Sequence, residues 1–157
     1  ARSGLYGYAY NSYQSLIRGG HVLFQLSVAP QKTHVHPDEP DILIALNQDT
    51  IEREAKDATA GVLFNSDRLT LDLAKLKPGA KALGLPVMTL APNPLMQNTV
   101  AAGALIRLTG LDLEVFAQLL RERRAEAKNP RLAARCSDLE IEPAAVAIKA
   151  GLIFGKY

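Results

Sequence analysis

The chain has 157 residues, of which 48% are hydrophobic and 22% are charged, a composition ordinary for a folded globular protein. Its net charge of +2 is too small to indicate binding to nucleic acid or to an anionic membrane surface. No apolar run approaches the roughly 18 residues of a membrane-spanning helix, and the single cysteine, Cys136, excludes an internal disulfide and any metal cluster held by cysteines of this chain alone.

One domain over residues 1–157 is expected from this length. Its first residues, "ARSG", read as the end of a helix, because Gly4 is of the type that commonly follows a last helical turn. This opening indicates a fragment, or a chain that has lost an N-terminal segment. The start is not a methionine and has no signal-peptide pattern, so the cytoplasm is the default location.

The first two predicted strands cover residues 5–10 and 21–29. Alternate apolar residues of the second strand share one face, namely Val22, Phe24, Leu26 and Val28. Between the strands lies "NSYQSLIRGGH", which is longer than the two to five residues of a plain hairpin connection.

The middle of the chain alternates between apolar and polar segments. Residues 41–46, "DILIAL", form a continuous apolar run typical of a strand covered on both faces. A polar helix is predicted over 48–59 and a buried strand over 61–64. Residues 68–85 fit a loop, a short strand or a helical turn, and 86–90, "PVMTL", is predicted as the last strand.

Three helices are predicted in the C-terminal third, over residues 98–109, 113–128 and 143–151. Asn98 and Asp112 are the predicted N-caps of the first two, and Gly110 ends the first. Strands separated by helices predict an α/β fold, with a sheet of mostly parallel strands covered by helices and a helical C-terminal third.

Ligands of α/β sheets collect beyond the carboxyl ends of the strands. Three strand ends are therefore candidate binding positions: residues 11–20, Asn47 and residues 65–67.

The first of these connections carries groups that bind anions. Arg18 is a permanent cation whose planar fork suits phosphate or carboxylate, and Gly19 with Gly20 lets a backbone approach a ligand closely. Ser15 adds a hydroxyl donor, and His21 titrates near neutral pH. An ordinary turn with a solvated arginine, followed by a structural histidine, is the alternative.

Other polar clusters have simpler interpretations. His34 and His36 would share one face of an extended segment and could hold a metal, but nearby prolines indicate a surface loop, and no metal ligand is assigned. The basic turn 121–124 alternates with glutamates and is typical of a solvated helix face. Cys136 is interpreted as a small buried residue.

Several segments resemble, in order, the γ domain of the thiamine-dependent 2-oxoacid:ferredoxin (acceptor) oxidoreductases, in the form where γ is fused ahead of the α subunit. "YQSLIRGGH" is similar to that family's "YPSLIRGGH" loop, with Gln14 in place of proline. Similar segments follow along the chain, namely "PDILIALNQDTIE", "GVLFNSD" and "NTVAAGALIRLTGLDLEVFAQLLRE". The glycine-rich "GxGGQG" loop that opens the family's domain does not occur here.

The resemblance implies the γ part of an enzyme that oxidatively decarboxylates a 2-oxoacid to acyl-CoA. Thiamine diphosphate, magnesium and iron–sulfur clusters are then expected on partner subunits, with no cofactor bound by this chain alone. The implied partners are the α and β subunits, ferredoxin through the assembly, and CoA, with no nucleic acid and no membrane. A homodimer is left open.

Six residues are assigned to a CoA or substrate entrance on this resemblance, and none is assigned a catalytic role: Ser15, Arg18, Gly19, Gly20, His21 and Asn47. Two alternatives stay open. The domain is purely structural and serves assembly without touching a ligand, or the chain is a free-standing nucleotide-binding α/β protein.

Overall fold

The computed structural model describes residues 4–13, 22–35, 37–90 and 96–126. The strands of these residues are β1 (Tyr6–Tyr13), β2 (Val22–Ala29), β3 (Ile42–Ala45), β4 (Gly61–Asn65) and β5 (Lys81–Leu85). Their α-helices are α1 (Gln48–Glu54), α2 (Val87–Leu90), α3 (Gln97–Leu108) and α4 (Leu113–Glu126).

The chain divides into two compact units, Ala1–Val62 with Thr70–Leu83 and Leu63–Leu69 with Gly84–Tyr157. The first unit contains β1, β2, β3 and α1, and the second contains α2, α3 and α4. One domain over residues 1–157 stays a prediction.

Strands β1 and β2 form an antiparallel pair in which Tyr6 lies opposite Ala29 and Tyr13 opposite Val22. Both predicted strands are confirmed, but β1 continues through residues 11–13, which the sequence pattern places in the connection. Within the described residues this pair is a sheet of its own. Its antiparallel pairing fits a short connection, whereas parallel neighbours need a crossover of a dozen or more residues.

The other three strands form a parallel sheet in the order β3-β4-β5. Lys81 N donates to Ala60 O at 3.0 Å, so β4 and β5 begin side by side. Ser66 N donates to Leu85 O at 3.0 Å, so the two strands also end together. Two paired strands that begin side by side and end side by side run in the same direction, so β4 and β5 are parallel neighbours.

Burial in this sheet explains its continuous apolar runs. Val62 and Leu63 of β4 are fully buried, and Leu43 and Ala45 of β3 are 6% and 0% exposed. A strand with helices or loops on both faces gains from apolar residues at every position. The strands predicted over 41–46 and 61–64 are therefore confirmed.

Helix α1 and a short 3-10 turn, Ala55–Asp57, together account for the helix predicted over 48–59. Ile51 and Ala55 lie four residues apart and are 5% and 1% exposed, so they form the buried side of this polar helix.

The segment before α3 departs from the sequence prediction. Residues 68–85, left open by their pattern, contain a 3-10 turn at Leu73–Lys75 and the strand β5. The strand predicted over 86–90 is wrong, because this stretch is the helical turn α2. Thr89 N and Leu90 N both donate to Pro86 O at 3.1 Å, and proline suits the start of a helix. So short an apolar run has no periodicity that separates a strand from a buried helical turn.

The two long helices largely follow the prediction. Helix α3 begins at Gln97, and Asn98 is not its N-cap, because Asn98 already lies inside the first turn. The predicted stop is confirmed by Gly110, whose φ of 71° is a conformation that glycine adopts without a Cβ clash. Asp112 Oδ1 accepts from Glu114 N at 2.9 Å, which confirms Asp112 as the cap of α4. The helix predicted over 143–151 lies outside the described residues.

Among the described residues, the largest fully buried side chains are Leu63, Leu85, Val62, Val87 and Val100. None of the helices that the structure describes combines the length and the apolar character needed to cross a membrane.

Candidate functional site

The arginine–diglycine connection joins β1 to β2, and the structure defines both of its ends. Ser15, Arg18, Gly19, Gly20 and His21 lie outside the described residues. The last residue of β1 and the first of β2 are direct partners across the antiparallel pair. The connection is therefore a closed hairpin loop whose two ends are held together by strand pairing.

Asn47, at the carboxyl end of β3, is the one predicted site residue that the structure describes. Its Oδ1 accepts hydrogen bonds from Thr50 N at 2.8 Å and from Thr50 Oγ1 at 2.9 Å. Its backbone is extended, with φ of −146° and ψ of 165°, as expected of an N-cap. The observed contacts of Asn47 start helix α1, and its contact with a ligand stays a prediction.

Asn65, at the carboxyl end of β4, is a buried polar residue with only 4% of its surface exposed. Its Nδ2 donates to Gln97 Oε1 at 3.0 Å, and its Oδ1 accepts from Asp67 N at 3.0 Å. Both polar atoms of the amide are thus satisfied, which a buried amide requires. Asn65 ties the turn after β4 to the start of α3.

The turn after β4 is also fastened to α2. Asp67 Oδ2 accepts from Met88 N at 2.7 Å, a bond to an amide in the first turn of that helix. The neighbouring Ser66 is exposed, and a Cβ placed on Gly84 of β5 would lie only 3.0 Å from Ser66 Cβ. Glycine at position 84 therefore leaves the space that the Ser66 side chain occupies.

Arg68 is a cation at this strand end that the sequence reasoning missed. It is exposed, and no described residue accepts a hydrogen bond from its guanidinium or forms an ion pair with it. Gln97 was also missed, since the neighbouring Asn98 looked like the better cap. The signal for Arg68 was its place directly after the predicted strand-end segment 65–67.

Two other arginines of the described residues, Arg53 and Arg121, form ion pairs. Arg53 Nε donates to Asp49 Oδ1 at 2.7 Å within α1. This hydrogen bond and the charge of Asp49 raise the pKa of the Arg53 guanidinium above its ordinary value. Arg53 therefore stays charged at any physiological pH, and its pairing makes it a suitable control arginine.

A cleft of about 340 Å³ lies beside α1 and residues 70–75. Gln48 lines the cleft and forms two hydrogen bonds with the backbone of Thr70. Its Nε2 donates to Thr70 O at 3.1 Å, and its Oε1 accepts from Thr70 N at 3.2 Å. Asp72 Oδ1 accepts from Ala74 N at 3.0 Å. These polar groups form hydrogen bonds within residues 70–75 or to them, so we interpret the cleft as part of the packing of this loop and not as a binding site.

His34, half of the histidine pair considered for metal, packs against an aromatic ring. Its ring centroid lies 6.1 Å from that of Tyr8, with the planes at 74°, an edge-to-face contact. His36 lies outside the described residues. Across the part of the chain that the structure describes, no three acidic, histidine or cysteine side chains are grouped as metal ligands.

Residues 1–135 match the protein family described as pyruvate ferredoxin/flavodoxin oxidoreductase. The chain belongs to this family. The pyruvate ferredoxin/flavodoxin oxidoreductase family is the one that the "YQSLIRGGH" and "PDILIALN" segments resemble, so the family prediction is confirmed.

Relatives within this family include ketoisovalerate oxidoreductase subunit VorA of Methanothermobacter marburgensis, 34% identical over 89 residues, and of Methanothermobacter thermautotrophicus, 34% identical over 90 residues. Each match covers 54% of this chain and 18% of the relative. The chain thus spans about a fifth of the length of the curated relatives it matches.

The fold is similar to a solved 2-oxoglutarate:ferredoxin oxidoreductase from Magnetococcus marinus with 2-oxoglutarate, coenzyme A and succinyl-CoA bound. The TM-score is 0.73 at 19% sequence identity, and the match covers 99% of this chain and 26% of that chain. This likeness concerns the fold, and it confirms the predicted α/β class.

Proposed function

We propose that this chain is the γ domain of a 2-oxoacid:ferredoxin (acceptor) oxidoreductase located in the cytoplasm. Its family match over residues 1–135 carries the proposal. The names of its relatives add a ketoisovalerate oxidoreductase, and its structural neighbour is a 2-oxoglutarate:ferredoxin oxidoreductase. The reaction supported is the oxidative decarboxylation of a 2-oxoacid to its acyl-CoA.

In this proposal, cofactors bound to other chains carry out the chemistry of the reaction. Thiamine diphosphate, magnesium and iron–sulfur clusters belong to partner subunits, and electrons pass through the clusters to ferredoxin. This chain has one cysteine in its whole sequence, too few to hold a cluster by itself. Its own part is to complete the assembly and to shape the approach of CoA.

The hairpin loop supplies the anion-binding groups for that approach. Arg18 belongs to a connection whose two flanking residues, Tyr13 and Val22, are paired across the two strands. A guanidinium donates two parallel hydrogen bonds to phosphate, and CoA carries several phosphate groups. Gly19 and Gly20 leave room for close approach, while Ser15 and His21 add donors.

Asn47 has a smaller part in this proposal, because its carbonyl oxygen is already taken up by the cap of α1. Only its amide nitrogen remains to face a ligand. The second candidate function, a purely structural assembly domain, is favoured by this observation and by Asn65, whose amide is satisfied within the fold.

The test is Arg18→Ala in the assembled enzyme, assayed for KM and kcat with CoA as the varied substrate. A charge-assisted hydrogen bond contributes about 1.5–3 kcal/mol, so KM for CoA should rise about 10- to 100-fold. Arg18→Lys keeps the charge without the fork and should give an intermediate KM. Arg53→Ala removes a paired arginine of α1 and is the matched control.

An unchanged KM, with less enzyme assembled, would identify the domain as a structural one and remove Arg18 from the entrance. If the purified complex decarboxylated no 2-oxoacid, the assignment to this enzyme type would itself be wrong.

A further inference from the structure

The two-stranded sheet β1–β2 presents its aliphatic side chains to solvent. Four residues of β2, which we call the apolar hairpin face, are Val22, Phe24, Leu26 and Val28. They are 61%, 61%, 51% and 50% exposed. Because side chains alternate along a strand, all four point to the same side.

The partners of this face across the strand pair are small or uncharged. Gly7 lies opposite Val28, Ala9 opposite Leu26, and Asn11 opposite Phe24. No charged residue of the described strands falls on this side of the sheet, so the face offers contact area without ionic groups.

The opposite side of the hairpin is covered only in part, because Tyr6 and Tyr10 of β1, which lie on that side, are each 53% exposed. Leu23, Gln25, Ser27 and Ala29 are half-buried in alternation with the exposed residues. Gln25 Nε2 donates to Pro37 O at 3.0 Å, which fixes the following loop against that side. The half-buried residues of β2 thus lie on the side that carries the tyrosines of β1, and the four aliphatic and aromatic side chains of the apolar hairpin face lie on the other side, open to solvent.

This orientation is unfavourable for a ribbon in water. An isolated two-stranded sheet is marginally stable without a surface to pack on. Four half-exposed side chains of this size leave on the order of 400 Å² of apolar surface, which matches the largest patches on monomers and commonly marks an interaction site.

The area argues against a second copy of the chain as the occupant. Two such faces meeting alone would bury on the order of 800 Å², less than the roughly 1,000 Å² of a specific interface. A larger partner that extends past the ribbon overcomes this limit. The VorA relatives are long enough to include such a partner surface. The match covers 18% of each VorA sequence, so 82% of it lies outside the matched part.

We propose that the apolar hairpin face docks onto an uncharged, apolar surface of another polypeptide or domain of the same oxidoreductase. This inference rests on the proposed function and adds the surface through which the domain joins the assembly.

The test compares two double variants of the tagged chain, purified with the polypeptides of its enzyme. Phe24→Thr with Leu26→Thr removes the centre of the face while keeping residues that favour strands. Leu73→Thr with Val35→Thr is the control, because those side chains are 67% and 74% exposed elsewhere. Central apolar contacts dominate interfaces, so we expect at least about a tenfold loss of co-purified partner for the first pair alone.

A second measurement reads contact directly. Phe24→p-benzoylphenylalanine in the assembled enzyme should crosslink on illumination to a peptide of a partner polypeptide, and Leu73→p-benzoylphenylalanine should not. Crosslinks to a second copy, or to residues 127–157 of the same chain, would overturn the proposal in favour of self-association or an internal cover. Equal retention of partner by both double variants, without a crosslink at position 24, would also overturn it.

The two proposals fail in different ways. A wild-type chain that brings down no oxidoreductase polypeptide contradicts the proposed function, and the docking inference falls with it. A wild-type chain that brings down the active enzyme, together with a hairpin variant that does so equally well, leaves the function standing and removes only the docking surface.

Discussion

Strands β2 and β4 have similar apolar content and opposite surroundings. In β2 the four residues of the apolar hairpin face are at least half exposed and alternate with half-buried residues, whereas Val62 and Leu63 of β4 are fully buried. The difference comes from the number of covered faces. A middle strand of a parallel sheet is enclosed by its neighbours and by helices, while a hairpin outside that sheet has no such cover within the described residues. Apolar sequence therefore indicates that a strand will be covered, without saying by which chain.

The largest expected contrast comes from one leucine in each strand. Leu63→Ala in β4 leaves a cavity in a site with no exposure and should lower the free energy of unfolding by about 2–5 kcal/mol. Leu26→Ala in β2 removes a half-exposed side chain and should change it by no more than about 0.5 kcal/mol. Urea unfolding of the chain gives both values. Equal losses would mean that β2 is covered by this chain itself.

A smaller contrast is expected for two asparagines. Asn65→Ala in β4 removes two hydrogen bonds of a buried amide and leaves Gln97 Oε1 without its donor, a loss of about 1–3 kcal/mol. Asn11→Ala in β1 alters an exposed residue and should stay within about 0.5 kcal/mol. The midpoint of urea unfolding measures both. A neutral Asn65→Ala would show that the bond to α3 contributes nothing net.

A contrast of similar size concerns two glycines, and here the expected changes in stability have opposite signs in the two regions. A Cβ at Gly61 would lie 2.7 Å from the carbonyl oxygen of Lys81, so Gly61→Ala must push β4 and β5 apart and should cost about 1–3 kcal/mol. At Gly7 the nearest atom is Leu26 Cδ1 at 3.7 Å, an ordinary contact, so Gly7→Ala should be neutral or stabilise by up to about 0.5 kcal/mol. Thermal unfolding of both variants gives the sign, and destabilisation by Gly7→Ala would show a tighter hairpin.

Much of the parallel sheet was predictable from local pattern. The polar helix after β3, the stop at Gly110 and the cap at Asp112 depend on interactions within a few residues, so short sequence windows contain their causes. The buried strands were recognisable because full cover leaves a continuous apolar run in the sequence, although their pairing is long-range. The segment 86–90 failed because an apolar stretch of that length satisfies a strand and a helical turn equally well.

The candidate site was less predictable than the fold. Asn47 follows a strand, and the sequence marks it as a binding position, yet its oxygen is used by α1. The role of Asn65 depends on Gln97, which lies 32 residues later, and no local pattern connects the two. The loop predicted to bind an anion was proposed from its residue types and its family resemblance, and its ligand contact stays a prediction.

The sequence by itself determined the family and the strands and helices outside residues 68–90, because these follow from residue types and spacings along the chain. Only the tertiary structure decided which apolar residues are enclosed and which face solvent. Burial depends on what packs against a strand from distant parts of the chain, and the alternation of Val22, Phe24, Leu26 and Val28 looks the same in both situations.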